Sequence, residues 1–286
     1  YVGSNEKRTS AMRPFLTLSL TMLIAFSACA QGKGADTSSP VFRDGEVLQY
    51  KVKWTVFRLG TVTLRTFRNS ACTGPNDYKV AFQAESNPDI SIIWVRGYYE
   101  STMDAASLVS KGIWGLERTR ETFIETRANL DEETGRLTYI VVDKNADETL
   151  HEGMLENITT AHQSASLLAF ARSVSHTMGL YRLPSFVDRK MGTTEIIFRG
   201  EKEDLEISAM EAPIRTRVVD GETKWGERKG VAGFAGNFKG WFSDDDAAVP
   251  IRAEAKVIVG SIVVELEQWD RPGWVPPTAA EATARK

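Results

Sequence analysis

The chain has 286 residues, of which 42% are hydrophobic and 26% charged, and its net charge is −3. That profile excludes a disordered chain and is large enough to bury a sizeable core. The mildly acidic balance offers no basic face of the kind nucleic acid requires.

Residues 1–30 read as an upstream extension followed by a signal peptide. Arg13 precedes an uncharged run from Phe15 to Phe26, and Ser27-Ala28-Cys29-Ala30 supplies a small-residue exit. A positive, then apolar, then small segment is the order of a secretory leader. The run is shorter than the roughly 20 apolar residues a bilayer span needs. Met12 is the natural start, which leaves residues 1–11 outside the leader. The exit admits two readings. Ala28-Cys29-Ala30 fits cleavage before Gln31, which gives a soluble periplasmic protein. Phe26-Ser27-Ala28-Cys29 also resembles a lipobox, in which Cys29 would carry the lipid of an outer-membrane lipoprotein. Without residues 1–30 the chain holds 32 basic and 37 acidic residues, a net charge of −5. Residues 31–41 form a small, polar linker. Cys72, beside Gly74-Pro75, has no intramolecular partner under either reading and is expected to be an idle loop thiol.

Residues 42–270 read as a single β-rich domain. Leu48, Tyr50, Val52, Trp54 and Val56 alternate with Gln49, Lys51, Lys53 and Thr55, which predicts one apolar and one wet face. After a break at Gly60, Val62 and Leu64 continue the period of two. Tyr78, Val80, Phe82 and Ala84 repeat it, as do Leu137, Tyr139 and Val141. Near the C-terminus, Ile251 to Val259 and Ile262 to Leu266 alternate on either side of Gly260-Ser261, a tight-hairpin signal. One amphipathic helix is predicted near 160–178. Thr160 and Gln163 fit a capping box, Ala161, Ala165, Leu168, Ala171, Val174 and Met178 recur at helical spacing, and Gly179 sits where a left-handed cap belongs. Residues 271–286 are rich in Pro, Ala and Thr and read as a loose tail. The expected architecture is therefore mainly β, one long curved antiparallel sheet, open or half-barrel, with one packed helix. No repeat of 20–50 residues points to a solenoid or propeller.

Several blocks resemble the family of exported bacterial proteins known as domain-of-unknown-function family 3108. Phe42-Arg43-Asp44-Gly45-Glu46-Val47-Leu48-Gln49-Tyr50 is similar to its F-x-x-G-E-x-L-x-Y opening. Tyr98-Tyr99-Glu100-Ser101 with Asp104, and Gln163-Ser164-Ala165-Ser166-Leu167-Leu168 with Arg172, resemble two middle blocks. Trp241-Phe242-Ser243-Asp244-Asp245 with Val249-Pro250-Ile251 resembles the closing one. The resemblance implies an envelope location and a β-rich domain, and it implies no reaction or catalytic residue.

Motifs for chemistry are sparse. His151, His162 and His176 form no H-E-x-x-H, and no nucleophile elbow, P-loop or dinucleotide fingerprint appears. No cofactor and no metal ligand set is expected. Asp244-Asp245-Asp246 reads as a turn whose carboxylates bond nearby amides, because the spaced ligands and glycine of a calcium loop are missing. Asp188-Arg189-Lys190 and Glu201-Lys202-Glu203-Asp204 read as solvated loops or hairpin tips. The aromatic residues carry the one hint of binding: Tyr50, Trp54, Trp94 and Trp241 could line a cleft for an acyl chain or glycan, or fill the core. The functional expectation is a non-enzymatic, carrier-like envelope module for a lipid, lipoprotein, glycan or envelope partner. The alternatives are a carboxylate-dependent hydrolase, for which Glu100, Asp104 and Glu121 are candidates, or a purely structural or assembly factor.

Overall fold

A computed structural model of the protein describes residues 41–68, 76–90, 94–163, 165–226, 236–257 and 260–279. The predicted leader, Cys29, the linker up to residue 40, Cys72 and Val259 lie outside the described residues. The first half of the chain contributes β1 (Val47–Trp54), β2 (Phe57–Arg68), β3 (Asp77–Ser86), β4 (Val95–Asp104), β5 (Ser110–Thr119), β6 (Phe123–Asp131), β7 (Arg136–Asp143) and β8 (Glu148–Leu155). The helix α1 (Ala165–Val174) follows. Then come β9 (Gly179–Val187), β10 (Lys190–Phe198), β11 (Lys202–Leu205), β12 (Ile214–Lys224), β13 (Gly236–Ser243), β14 (Pro250–Lys256) and β15 (Ser261–Asp270).

The strands form one antiparallel sheet in the order β8-β7-β6-β5-β4-β3-β2-β1-β15-β14-β13-β12-β10-β9, with β11 added on β12. Every neighbour before α1 is a hairpin partner, so the first eight strands are a meander, and β15 joins the two halves by pairing with β1. The sheet is open but curls around α1. On one side of the helix, Ala165 and Ala169 pack with Leu48, Tyr50, Leu64, Tyr78, Val80 and Met103. On the other, Ala171, Leu167 and Phe170 pack with Leu183, Ile196, Phe198, Val219 and Phe242. A helix held from both sides explains why these strands alternate: the wall that faces α1 is dry, while the other is wet except where the 205–210 loop covers β1, β15, β14 and β13.

The segment just before the helix draws β9, one edge of the sheet, toward β5 and β7 of the other half. The Ser110 N–H donates to the Ala161 carbonyl, while His162 forms a parallel bridge with Ser185 through His162 N–H to Pro184 O (2.8 Å) and Phe186 N–H to His162 O (3.0 Å). Tyr139 of β7 meets Phe186 of β9 at 5.8 Å between ring centroids. Residues 161–162 thus act as an extended filler between β5 and β9.

This use of the backbone corrects the predicted helix limits. Thr160 and Gln163 form no capping box, because residues 161–162 are already engaged in extended pairing. The Gln163 N–H instead donates to Ser166 Oγ at 2.9 Å, the return half of such a box. The helix ends at Val174, with Ser175 and Thr177 N–H bonding back to Arg172 and Val174 carbonyls. Gly179 opens β9 rather than capping the helix, and Met178 is 76% exposed beyond it.

The alternation predicted for β1 holds only through Tyr50. Register shifts fall between Gln49 and Tyr50 against β15, and between Val52 and Lys53 against β2. Beyond them Lys51 is buried, Trp54 is 38% exposed, and Val56 leaves the strand for the turn at 84% exposure. The expectation that Trp54 is a core residue is therefore corrected. Trp54→Ala is expected to lower stability by about 1–2 kcal/mol, short of the roughly 3–5 kcal/mol of a fully buried aromatic ring, as measured by urea unfolding. Gly60 is not a break but lies inside β2, where a side chain would meet the Glu85 carbonyl oxygen at 2.1 Å. Gly260 does turn the β14–β15 hairpin, with φ +79°.

The tail also differs from expectation over residues 271–279. The Arg215 N–H donates to Pro277 O and Ala279 N–H to Pro213 O, and Trp274 packs on the main core. Pro277 lacks a donor but leaves a carbonyl that Arg215 of β12 uses. Finally, Lys202–Leu205 is strand β11, paired with β12, rather than a solvated loop or hairpin tip, and its carboxylates meet Arg215 of β12 and Lys239 and Trp241 of β13.

Candidate functional site

Two buried charge clusters and one shallow cleft hold the polar side chains the fold gathers. The first cluster centres on Arg172, the largest fully buried side chain. Its Nη1 and Nη2 donate to Glu46 Oε2 (2.9 Å) and Oε1 (3.1 Å), a forked pair. Nη2 also reaches Val41 O and Ala247 O, and Nε donates to Ala248 O at 3.2 Å. Arg271 pairs with Glu46 from another direction and donates to Val41 O. Thr66 Oγ1 gives Glu46 a further donor at 3.3 Å. Burial alone would push the Glu46 carboxyl up, but the charges and hydrogen bonds of Arg172 and Arg271 outweigh it and hold it below the ordinary carboxylate range. Glu46 therefore carries no proton to transfer near neutrality, and Arg172 makes five hydrogen bonds within the protein. The cluster ties α1 to the start of β1 and to the turn between β13 and β14.

That turn is the Asp244–Ala248 segment, and it behaves as predicted. Asp245 Oδ1 accepts from Ser243 Oγ and from the N–H groups of Ala247 and Ala248, and its Oδ2 accepts from Trp274 Nε1 at 2.7 Å. Asp244 pairs with Lys202 and Arg217. Among the described residues no group of three His, Cys, Asp or Glu is placed to hold a metal ion.

The cleft lies directly outside this cluster. It encloses about 270 Å³ and is lined by Arg43, Asp245, Asp246, Arg271, Gly273 and Trp274, among others. Arg43 and Asp246 are exposed at its rim. Its walls thus present opposite charges beside a half-buried indole.

The second cluster lies on the sheet face turned away from the helix. Lys51, Glu265, Arg252 and Trp241 are successive register partners across β1, β15, β14 and β13. Lys51 Nζ lies 2.6 Å from Glu265 Oε1, and Arg252 pairs with Oε2. The loop carrying Ser208 covers them, with Ser208 against both Lys51 and Glu265. Burial would raise the Glu265 pKa, but hydrogen bonds from Lys51 and Arg252, and their charges, bring it down to about 2. Trp241 Nε1 donates to Glu203 Oε2 of β11 at 2.7 Å, and Lys239 sits over its ring.

The four aromatic residues singled out from the sequence do not line one cleft. Tyr50 faces α1, and its hydroxyl donates to Pro250 O. Trp241 stands on the opposite face by register, yet is buried in the same core cluster as Tyr50, with its indole N–H on Glu203 of β11. Trp54 is at the β1–β2 turn, and Trp94 precedes β4, half-buried beside Arg96. The candidate carboxylates are likewise dispersed. Glu100 accepts from Tyr98 and Lys79, Asp104 caps the β4–β5 turn through Ala106 and Ser107, and Glu121 lies in the β5–β6 turn. His162 is buried, and desolvation lowers its pKa to about 4. His176 lies near Arg217 beyond the helix.

Sequence reasoning missed Glu46 and Arg271 as partners of Arg172. The available signal was that Glu46 and Arg172 belong to two of the quoted blocks, and the Asp245–Ala248 turn adjoins a third. The pairing joins positions 126 residues apart, which spacing alone cannot pair.

A solved structure is similar in fold: a β-barrel-like protein of domain-of-unknown-function family DUF1849 from Brucella abortus. It aligns at a TM-score of 0.52 and 11% identity, over 80% of this chain and 98% of that one. No curated protein matches the sequence. The model of the family described as "Protein of unknown function (DUF3108)" matches residues 49–267, from β1 to β15 and including Arg172 and the Asp244–Ala248 turn. The chain belongs to that family, DUF3108.

Proposed function

We propose that the protein is an exported envelope module that binds a partner without transforming it, either soluble in the periplasm or held at the outer membrane through an acylated Cys29. The observation that carries this reading is the cleft outside the Glu46–Arg172–Arg271 cluster. Its inner wall is backed by the buried Glu46–Arg172–Arg271 ion cluster, and its rim carries Arg43, Asp246 and the Trp274 ring. A rigid wall with a dipolar rim favours recognition of a polar group, such as a glycan or a peptide segment of an envelope protein. The concave side of the sheet is occupied by α1, so an acyl chain would have to displace the helix to enter there. The leader-like N-terminus supports export. Among the described residues no helix is long and apolar enough to cross a membrane.

The test is to express the full chain in a bacterium and recover it from the envelope for native mass spectrometry. The expected result is an N-terminus at Gln31 or a lipidated Cys29, with a co-purifying glycan, lipoprotein or peptide that Arg43→Glu releases. An unprocessed chain confined to the cytosol would sink export, and a bare mass from the envelope would sink binding.

A further inference from the structure

The β1–β2 hairpin ends in a tip whose chemistry does not match an ordinary turn. The strands pair as far as Trp54 with Phe57, which leaves Thr55-Val56 as the connection. Such turns favour Gly or Asn, because the first position takes a positive φ. Here that position is Thr55, β-branched and held at φ 53°. The next residues are apolar and face solvent, with Val56 84% and Phe57 60% exposed and Trp54 at 38% on the shoulder. The neighbouring β14–β15 turn lies close against it, since a side chain at Gly260 would reach Thr55 Cγ2 at 2.6 Å. A turn this exposed would normally be polar.

Charge identifies what the tip meets. From Val47 to Asn76 the sequence holds Lys51, Lys53, Arg58, Arg65 and Arg68 and no Asp or Glu, in a chain whose overall charge is −3. The tip itself reads Lys53-Trp54-Thr55-Val56-Phe57-Arg58, cations on both sides of an apolar centre. Among the described residues the Lys51, Lys53, Arg58 and Arg252 cations pair with two carboxylates, Glu265 and Glu267. Aromatic and aliphatic side chains that project beyond a collar of Lys and Arg match the interface of an anionic bilayer, where the apolar groups enter the headgroup–acyl boundary and the cations meet phosphates.

We infer that the β1–β2 tip, Trp54 to Phe57, inserts into the interfacial layer of a membrane containing anionic phospholipid, with Lys53 and Arg58 on its phosphates. The tip lies at the far end of β1 from the cleft, so a docked protein would hold the cleft away from the bilayer. This inference draws on the envelope reading for the presence of a membrane but not on the cleft or its ligand.

The test uses the full chain, exported and purified as processed, with Cys29→Ser so that no acyl chain contributes. Cosedimentation is measured with vesicles of equal parts phosphatidylglycerol and phosphatidylcholine, and with phosphatidylcholine alone. The inference predicts binding to the anionic vesicles that weakens with salt and falls at least about tenfold in Val56→Ser/Phe57→Ser. Both positions are exposed, so the unfolding midpoint of that variant should match the parent. Equal partitioning of parent and variant, or no preference for anionic vesicles, would overturn the inference. So would a dimer of the parent that the double variant dissolves, since the tip would then be a protein contact. Cytosolic retention of the chain would sink the envelope reading and leave vesicle binding of the purified protein intact.

Discussion

Arg172→Met is expected to destabilise the protein by about 3–5 kcal/mol, more than any surface substitution. Methionine fills much of the volume but supplies no donor. The Val41, Ala247 and Ala248 carbonyls each lose a hydrogen bond from Arg172, and Glu46 is left with Arg271 as its one cationic partner. Leaving buried acceptors and a buried charge under-satisfied is the expensive half of an ion pair, whatever the net worth of the intact pair. Arg172→Lys should recover only part of the loss, because an ammonium cannot serve acceptors fanned around a planar fork. Urea unfolding followed by circular dichroism reads both variants. A loss below about 1 kcal/mol for Arg172→Met would mean that the guanidinium is not held as described.

Acid should unfold the protein in a window set by its buried carboxylates and by His162, which burial holds at a pKa of about 4. Glu265 has a pKa of about 2 in the fold against an ordinary 4.5, and Glu46 is lowered as well. A carboxyl depressed by folding contributes its full stability above about pH 4.5 and loses it as the pH falls toward the folded value. For Glu265 the gap corresponds to about 3 kcal/mol. Urea midpoints should therefore begin to fall below about pH 6.5, where burial keeps His162 neutral in the fold, and drop steeply between pH 4.5 and 2 as the carboxylates protonate. Glu265→Gln should lower stability at pH 7, because Lys51 and Arg252 lose their shared anion. It should also remove much of that drop. An unchanged acid profile in Glu265→Gln would show that the drop comes from other groups.

The half-barrel was legible from the sequence where one face of a strand is dry and the other wet. Strands β1, β2, β3, β7, β14 and β15 were each visible as alternating runs, because they present one side to α1 or its neighbouring core. β8 was not, since Glu148–Leu155 is exposed on both sides and has no hidden face to impose a period. β5 was masked because Gly112 and Gly115 interrupt its alternation. Gly115 is there because the Tyr99 ring lies over it, and a side chain would meet that ring at 2.4 Å. β9 was hidden by Pro184, tolerated because the strand lies at the sheet edge and the proline carbonyl takes the His162 N–H. The helix was overextended at both ends because Ala161 and Met178 keep the apolar spacing while tertiary contacts pull the backbone into other roles.

The candidate site was less legible for a different reason. Glu46, just ahead of a strand, has the same sequence appearance as a solvated charge, and Arg172 the same as a basic residue in the last turn of a helix. Only the fold brings them together, with the Asp244–Ala248 turn closing over them. The resemblance to the family marked these three segments separately. The structure adds that they meet at one buried ion cluster beneath a polar cleft.

A double-mutant cycle on Glu46→Gln and Arg172→Met, by urea unfolding at pH 7, tests that convergence most directly. If the two side chains share one buried cluster, the double variant should be more stable than the sum of the single losses predicts, with a coupling of about 2 kcal/mol or more. Losses that add to within about 0.5 kcal/mol would contradict it.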